Sequence, residues 1–249
     1  MFEWLRAMMA SGPERPPAPE AEIFAVGDIH GRRDLLEKLV ANIRDVAQTA
    51  NPEIIFLGDY IDRGAESREV IDLLIGGDIQ NRFKPVFLKG NHEATLLEFL
   101  DDARIGPSWV QYGGGETLMS YGVKPPEFKG DLEAWGAASQ ELRQRMPVAH
   151  LEFYLNLELC AERGCYLFVH AGVDPAKRLD AQGEAELLWI REAFLDDTRQ
   201  LERIIVHGHT PAAEPYQDNR RIGLDLGGYQ TGRLAAVRLH GSSISFITT

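Results

Sequence analysis

Five short apolar runs in this sequence are each followed, within one to three positions, by residues that bind metals or transfer protons. The segments that follow the runs read GDIHG, GDYIDRG, KGNHE, HAG and HGHTP. They carry Asp28, His30, Asp59, Asp62, Asn91, His92, His170, His207 and His209, with Arg63 beside them. Aspartate, asparagine and histidine are ligands of hard to borderline divalent cations such as Mn, Fe and Zn. One such residue after a strand is ordinary turn chemistry, but five together indicate a site.

The donor set suits two cations better than one. It is made of O and N ligands without cysteine, which structural zinc sites favour. Two divalent ions about 3.5–4 Å apart recur in enzymes that hydrolyse phosphate esters, where they clamp the attacking and leaving oxygens. Asp28 and Asp59 offset only part of the charge of two such ions, so the site would be positive and would suit a phosphate dianion.

The apolar runs themselves are typical of buried strands. They are IFAV (23–26), IIFL (54–57), VFL (86–88), YLFV (166–169) and IIV (204–206). Amphipathic helices are predicted between the early runs: one after Asp34 as its N-cap, one over 67–75, and one starting near His92. This order indicates an α/β fold. Ligands bind beyond the carboxyl ends of strands in open α/β sheets, so we expect the five loops to converge on one crevice.

The rest of the chain is read from its composition and turn signals. Residues 101–150 hold no clear strand pattern and predict an inserted, mostly helical cap or wall region. Within it, Trp109, Tyr112 and Gly113–Gly115 either form a lid on the substrate side or pack as a turn. Residues 221–249 alternate turn glycines with short apolar runs, which predicts antiparallel strands that close the domain.

The composition describes an ordinary globular protein. The 249 residues are 44% hydrophobic and 26% charged, and the net charge of −12 makes nucleic acid a poor partner. Residues 1–20 are predicted to be a flexible Pro-rich segment ahead of a folded domain at 21–249. Residues 1–10 are too short and too charged to span a membrane or to act as a secretory signal. We therefore expect a cytoplasmic protein without membrane partners, in which Cys160 and Cys165 are reduced thiols flanking a turn.

The motifs GDIHG, GDYIDRG, GNHE, HAG and GHTP, in this order between residues 27 and 211, resemble those of the phosphoprotein phosphatases. These are a branch of the calcineurin-like metallophosphoesterases, and the likeness is to their small bacterial serine/threonine phosphatases. The resemblance implies a four-layer fold, with a central β-sandwich flanked by helices. The metal ligands that it implies are Asp28 and His30 for one ion, Asp59 between the two, and Asn91, His170 and His209 for the other. It leaves His207 outside the ligand set.

The resemblance also implies roles around the metals. His92 would be the general acid that protonates the leaving alkoxide, and Asp62 would hold its orientation. Arg63 would offer a planar fork to two phosphate oxygens. A second phosphate-binding arginine is expected later in the chain. Arg191 in ELLWIREAFL matches a segment of bacterial relatives, although it could equally be a solvated helix arginine.

Four further polar residues are given structural roles. Arg32 is expected on the surface at a helix start, and Glu93 is expected to favour a helix N-terminus. His150 and His240 are read as ordinary loop or surface residues.

The function predicted from these residues is a dinuclear metal-dependent phosphomonoesterase. It would hydrolyse phosphoserine or phosphothreonine in proteins by in-line attack of a metal-bound hydroxide, with a phosphorylated protein as its partner. Manganese is expected by likeness to bacterial relatives, while iron and zinc accept the same donors. One alternative is a nucleotide hydrolase of the diadenosine tetraphosphatase type, whose second-strand motif we expect to depart from DYIDRG. The other is a non-catalytic scaffold, which should have lost ligands that are all present here. The oligomeric state is left open.

Overall fold

The computed structural model describes residues 15–249. Its strands are β1 (Ile23–Val26), β2 (Glu53–Phe56), β3 (Lys84–Phe87), β4 (Cys160–Arg163), β5 (Tyr166–Val169), β6 (Ile204–His207), β7 (Tyr216–Gln217), β8 (Arg221–Gly223), β9 (Ala235–His240) and β10 (Ser243–Thr248). Its helices are α1 (Arg33–Val46), α2 (Ser67–Ile75), α3 (Gly77–Arg82), α4 (Asn91–Asp101), α5 (Gly106–Gln111), α6 (Gly114–Ser120), α7 (Leu132–Arg145), α8 (Val148–Leu155), α9 (Glu184–Trp189), α10 (Glu192–Leu195) and α11 (Gly228–Thr231).

The strands form two five-stranded sheets. The first has the order β10-β9-β1-β2-β3 and the second has the order β4-β5-β6-β8-β7. In the first sheet β1, β2 and β3 are parallel, and in the second β5, β6 and β8 are parallel. The hairpin of β9 and β10 joins the first sheet antiparallel to β1. Each sheet therefore contains three adjacent parallel strands, and the carboxyl ends of these strands lie at one edge of the sheet.

Alternating side chains along the strands build three apolar layers. In β1, Ala25 packs between the sheets with Val206 of the second sheet, whereas Phe24 packs on the other face against α1 and its neighbours. In β5, Phe168 points into the layer between the sheets and Leu167 packs outward against the region of α9. The result is helices, sheet, sheet, helices, which confirms the predicted α/β fold with a central β-sandwich.

The five predicted strands and the three early helices are present, with one correction at a helix start. Helix α1 begins at Arg33 with Arg32 in the N-cap position, so the prediction of Asp34 as N-cap is wrong. Asp34 lies in the first turn, where the helix dipole stabilises a carboxylate. Its side chain accepts hydrogen bonds from the Arg32 side chain at 2.8 and 2.7 Å.

Residues 101–150 are helical, as predicted. They contain α5, α6, α7 and the first residues of α8, and their buried Trp109, Leu118 and Trp135 pack with Phe99 of α4. In the tail, β9 and β10 are antiparallel as expected, but β8 runs parallel to β6 in the second sheet. Residues 221–223 also pair antiparallel with β7, so the prediction of antiparallel strands holds for them only in part.

The beginning of the described chain lies against the domain. Residues 1–14, most of the segment predicted to be flexible, lie outside the described residues. Farther along, the Pro17 carbonyl accepts a hydrogen bond from the Cys165 amide at 3.1 Å, and the Pro19 carbonyl accepts one from Gly241 at 3.0 Å. Cys160 and Cys165 are free thiols. None of the helices in the described part of the chain has the length and apolarity needed to cross a bilayer.

Candidate active site

The strand ends of both sheets meet in one buried cluster. Asp28 and His30 follow β1, Asp59 follows β2, Asn91 opens α4 after β3, His170 follows β5, and His209 follows β6. All six of these side chains are buried. The two oxygens of Asp59 face opposite neighbours: Oδ2 lies 3.5 Å from His30 Nε2, and Oδ1 lies 3.4 Å from His170 Nε2. The structure thus brings together every residue that was expected to bind metal.

The backbone is strained where it carries these side chains. Within residues 15–249, the non-glycine residues with positive φ are His30, Asp59, Asp62, Arg63 and His209, with φ between 49 and 72°. Such conformations are costly for residues with a Cβ, and they persist at functional sites when the surroundings hold them. The flanking glycines permit close approach, because a Cβ on Gly208 would lie 2.0 Å from Asp28 Oδ1.

The hydrogen bonds of two histidines show that their inward nitrogens carry lone pairs. His170 Nδ1 lies 2.9 Å from the Leu57 carbonyl oxygen, and His30 Nδ1 lies 2.8 Å from that of Ile61. A carbonyl only accepts, so each Nδ1 is the donor and the Nε2 of the neutral ring is an acceptor. His170 Nε2 nevertheless lies 2.9 Å from Asn91 Oδ1, which is also an acceptor.

The same mismatch occurs at His30. Its Nε2 faces the Asp59 carboxylate and has no hydrogen-bond partner among residues 15–249. Acceptors that face acceptors in a buried site repel each other unless a cation lies between them. The donor set therefore fits divalent cations on both sides of Asp59. Two groups of ligand atoms satisfy the spacing for a metal: His30, Asp59 and His92 on one side, and Asp59, His170 and His209 on the other.

Burial sets the charge states of this cluster. It lowers the pKa of His30 to about 3 and that of His209 to about 2, so these rings are neutral and able to bind metal. Burial disfavours the Asp59 carboxylate, but the surrounding histidines, His170 first, outweigh it and lower the Asp59 pKa. Burial and the neighbouring Asp225 and Asp59 raise the pKa of Asp28, a rise that nearby cations would oppose.

His92 and Asp62 form a hydrogen-bonded pair beside the cluster. His92 Nδ1 lies 2.6 Å from Asp62 Oδ2, and Asp62 is fully buried. Burial lowers the pKa of His92, but Asp59 and Asp62 outweigh it and raise that pKa to about 9. His92 can thus carry a proton at neutral pH. Its other nitrogen, Nε2, lies 3.1 Å from Arg63 Nη2, which donates to Nε2 when this nitrogen is unprotonated, so the imidazole and the guanidinium face the same point.

A cavity of about 410 Å³ opens beside this pair. Arg63, His92 and Arg191 all line it. Its lining also includes the apolar and aromatic side chains of Ile105, Trp109, Tyr112 and Trp189. Arg191 lies between α9 and α10, outside any helix interior, and its Nη1 is 3.3 Å from the His209 carbonyl and from Thr210 Oγ1. Both arginines that were expected to bind phosphate therefore line one cavity with the candidate acid.

Two residues that were expected to be peripheral have specific contacts away from the cavity. Arg32 donates to Asp34 and to the Gly228 carbonyl. His207 is buried, and its ring lies 3.0 Å from the Gly208 carbonyl and 3.3 Å from Arg221 Nη1. Neither side chain enters the cluster around Asp59.

The expectation for Glu93 is confirmed but incomplete, and the one for His150 needs correction. Glu93 does cap α4 by accepting from the Gly90 amide at 3.0 Å, but it also accepts from the amides of Asp59 and Tyr60 at 2.9 and 2.8 Å. It therefore holds the loop that carries the shared carboxylate. His150, read as a loop or surface residue, is buried in α8 between Tyr121 Oη and Asp72. The expectation of a loop or surface position was therefore wrong. No sequence signal indicated the burial, because Tyr121 and Asp72 are remote from His150 along the chain.

Sequence reasoning missed three residues near the site. Asp225 is buried, burial raises its pKa to about 6, and its charge acts on Asp28. Its position after the apolar end of β8 follows the same pattern as the other strand-end acids, so a signal existed. Tyr229 lies with its ring centre 4.7 Å from the Arg63 guanidinium. Thr117 donates to Asp62 Oδ1 at 2.5 Å, and no local pattern marks it.

Comparisons with known proteins agree with this arrangement. The family model described as calcineurin-like phosphoesterase matches residues 21–240. A bis(5'-nucleosyl)-tetraphosphatase PrpE of Anoxybacillus flavithermus is 26% identical over 86% of this chain and 88% of its own. Serine/threonine-protein phosphatase 2 of Escherichia coli is 25% identical over 87% of this chain and 92% of its own.

Solved structures share the fold. One described as a candidate diadenosine tetraphosphatase has a TM-score of 0.61 at 21% identity, covering 96% of this chain and 98% of its own. A cold-active protein tyrosine phosphatase has a TM-score of 0.56 at 15% identity, covering 94% and 81%. At these identities the likeness concerns the fold.

Proposed function

Because the chain belongs to the calcineurin-like phosphoesterase family, we propose that it is a phosphoprotein phosphatase that removes phosphate from phosphoserine and phosphothreonine. The proposal assigns two divalent cations, manganese by preference, to Asp28, His30, Asp59, Asn91, His170 and His209. Bound there, they would supply Lewis-acid stabilisation of the phosphoryl oxygens and a lowered pKa for a water molecule.

The observation that carries this proposal is that His92, Arg63 and Arg191 line one and the same cavity. Two guanidinium groups suit a single phosphate dianion, which each can bind through paired N–H donors. Phosphate ester cleavage leaves an alkoxide when the substrate is phosphoserine, and an alkoxide needs a proton. His92, with its raised pKa and its bond to Asp62, is suited to supply it.

The chain's own residues then act in a defined order. Arg63 and Arg191 orient the phosphate so that its bond to the leaving oxygen points toward His92. As this bond breaks, the electron pair stays on the leaving oxygen and the Nε2 proton of His92 passes to it. The oxygen of a water molecule forms the new bond to phosphorus, and a proton from that water goes to solvent. Asp62 keeps the Nδ1 side of His92 fixed throughout.

The alternative substrate is a dinucleoside tetraphosphate, favoured by the PrpE relatives. Its phosphate chain carries several more charges than a monoester and needs several cations along its path. Besides its two arginines and His92, the 410 Å³ cavity is lined by Glu98, and Glu116 lines the neighbouring cavity beside Arg63 and Tyr229. Like charges at these positions disfavour a polyphosphate. The two glutamates are compatible with a peptide substrate. The net charge of −12 also disfavours a polyphosphate.

A side-by-side assay tests the choice of substrate. The purified protein, supplied with manganese, is given a phosphoserine peptide and diadenosine tetraphosphate, and kcat/KM is measured for each. We expect the peptide to be preferred by at least about tenfold, which is about 1.4 kcal/mol of transition-state binding. A higher kcat/KM for the dinucleotide would overturn the assignment. Glu98→Lys is the informative variant, since it should narrow the gap by favouring the polyphosphate.

The compartment is part of the same proposal. Two free thiols, one of them exposed at Cys160, support a reducing environment such as the cytoplasm.

A further inference from the structure

The carboxylate of Asp62 is held by more than its catalytic partner. Its Oδ2 accepts from His92 Nδ1 at 2.6 Å and from the Trp109 indole Nε1 at 2.8 Å, and its Oδ1 accepts from Thr117 Oγ1 at 2.5 Å. Asp62 and Thr117 are fully buried, and Trp109 is 1% exposed. Trp109 and Thr117 both come from the inserted region 101–150, from α5 and α6.

The same region also supports the backbone at this point. The Asp62 amide donates to Thr117 Oγ1 and to Ser67 Oγ, both at 3.0 Å, and the Arg63 amide donates to the Gly113 carbonyl at 3.1 Å. Asp62 and Arg63 have φ values of 72 and 69°, a costly conformation that needs such support. The inserted region therefore fixes both the side chain that orients the acid and the turn that carries Arg63.

Trp109 is well fixed in its own place. Its ring centre lies 5.0 Å from that of Phe99, and a Cβ on Gly114 would lie 2.3 Å from the indole, so only glycine fits beneath it. The ring also forms a wall of the cavity beside His92. A rigid donor of this kind can hold the Asp62 carboxylate in one rotamer, and residues that orient a reacting group from behind typically contribute about 10–100-fold in activity.

We propose that Trp109 and Thr117 are positioning residues for protonation of the leaving group, acting through Asp62 on the direction in which His92 presents its Nε2 proton. Deepening the proposed function, this inference rests on the role assigned there to His92. It concerns monoester chemistry in general and does not depend on the phosphoprotein substrate. Losing the indole N–H should leave Asp62 Oδ2 with one donor, which lets the carboxylate and the imidazole turn away from the leaving oxygen.

The test uses leaving groups of graded basicity. A series of aryl phosphates from p-nitrophenyl to phenyl phosphate is hydrolysed by the full-length, manganese-loaded enzyme, and log kcat is plotted against leaving-group pKa. Departure of a basic leaving group such as phenolate depends on protonation by the general acid, whereas departure of p-nitrophenolate does not. For Trp109→Phe we expect phenyl phosphate turnover to fall about 10–100-fold and p-nitrophenyl phosphate turnover to fall by less than about threefold. The plot becomes steeper, which general destabilisation would not cause.

The chain offers a matched control. Trp135 lies in the same apolar cluster, is 1% exposed, and its indole nitrogen has no hydrogen-bond partner within the described residues. Trp135→Phe makes the same change of shape without removing a donor to Asp62, so its plot should keep the slope of the unmodified enzyme. A Trp109→Phe slope equal to that of Trp135→Phe would overturn the proposal.

Thr117 gives a second, independent arm in case Trp109→Phe folds poorly. Thr117→Val removes the hydroxyl that donates to Asp62 and should steepen the plot, whereas Thr117→Ser keeps the hydroxyl and should restore the original slope. Equal slopes for these two variants would also count against the inference. Failure of the proposed function appears elsewhere, in the substrate preference of the unmodified enzyme.

Discussion

The strand-end loops, which follow β1, β2, β3, β5 and β6, serve the site differently from the inserted region 101–150. The loops leave ligand atoms open: the Nε2 atoms of His30 and His209 have no hydrogen-bond partner among residues 15–249. The inserted region does the opposite, since Trp109 donates to Asp62 Oδ2 and Thr117 donates to Asp62 Oδ1. Ligand atoms without a protein partner are available to bind a cation. A carboxylate that already accepts several hydrogen bonds is instead held in a fixed orientation.

This difference separates cation binding from proton delivery. Substitutions in the loops should change metal content, and substitutions around Asp62 should change the chemistry at constant metal content.

Asp59→Asn should cause the largest loss. Its two oxygens face His30 and His170, so removing the negative charge weakens both cation sites together. Since the cations contribute several kcal/mol, turnover of p-nitrophenyl phosphate should fall by about 10³-fold or more. Elemental analysis after gel filtration should show less than two equivalents of manganese. A fully loaded and fully active variant would remove Asp59 from its shared position.

His92→Asn should slow turnover without loss of metal. His92 is bonded to Asp62 and faces the cavity, but the resemblance to the family assigns its neighbour Asn91, and not His92, to the metal. We expect kcat for a phosphoserine peptide to fall about 10²–10⁴-fold while manganese content stays equal to that of the unmodified protein. Loss of metal in this variant would mean that proton delivery and cation binding are not separable.

Arg63→Ala and Arg191→Ala should affect phosphate binding unequally. Arg63 lies 3.1 Å from His92 Nε2 and is supported by Tyr229, whereas Arg191 also binds the His209 carbonyl. We expect kcat/KM to fall about 10²–10³-fold for Arg63→Ala and about tenfold for Arg191→Ala, as for the loss of one contact of about 1.4 kcal/mol. Arg63→Lys keeps the charge without the planar fork and should recover only part of the loss. The reverse order would assign Arg191 the main phosphate contact.

Tyr121→Phe should show the smallest effect, on stability alone. The Tyr121 hydroxyl bonds His150 Nδ1 at 2.8 Å in a buried network away from the cavity. Leaving a buried partner unsatisfied costs about 1–3 kcal/mol, so the midpoint of urea unfolding should fall while kcat is unchanged. Tyr112→Phe, at a residue that is 65% exposed, is the control and should leave the midpoint in place. A drop in kcat for Tyr121→Phe would mean that this network reaches the site.

The sequence was informative where chemistry follows a strand directly. Asp28, Asp59 and His170 could be placed because an apolar run ends beside them and parallel strands end at one edge. It was uninformative where contacts span long stretches of chain. Trp109 and Thr117 lie 47 and 55 residues from Asp62, and neither stands at a position with its own signal. A tryptophan among glycines predicts packing, not a hydrogen bond to the Asp62 carboxylate.

The fold shows the same limit. The apolar runs predicted β1, β2, β3, β5 and β6 but neither β4 nor β7. They could not assign the strands to two sheets, since that depends on which face of each strand meets the other sheet; only the motif resemblance implied the sandwich. Glu93 is similar: a glutamate at N3 of a helix predicts a cap, which it forms. Its bonds to the amides of Asp59 and Tyr60 depend on the pairing of β2 with β3, which is a tertiary contact.

We propose that loops from two sheets hold two divalent cations that share Asp59. Anomalous diffraction from crystals grown with manganese, collected on both sides of the manganese absorption edge, locates such ions. We expect two anomalous peaks on opposite sides of the Asp59 carboxylate, one beside His30 and the other between His170 and His209. A single peak, or peaks away from Asp59, would contradict it.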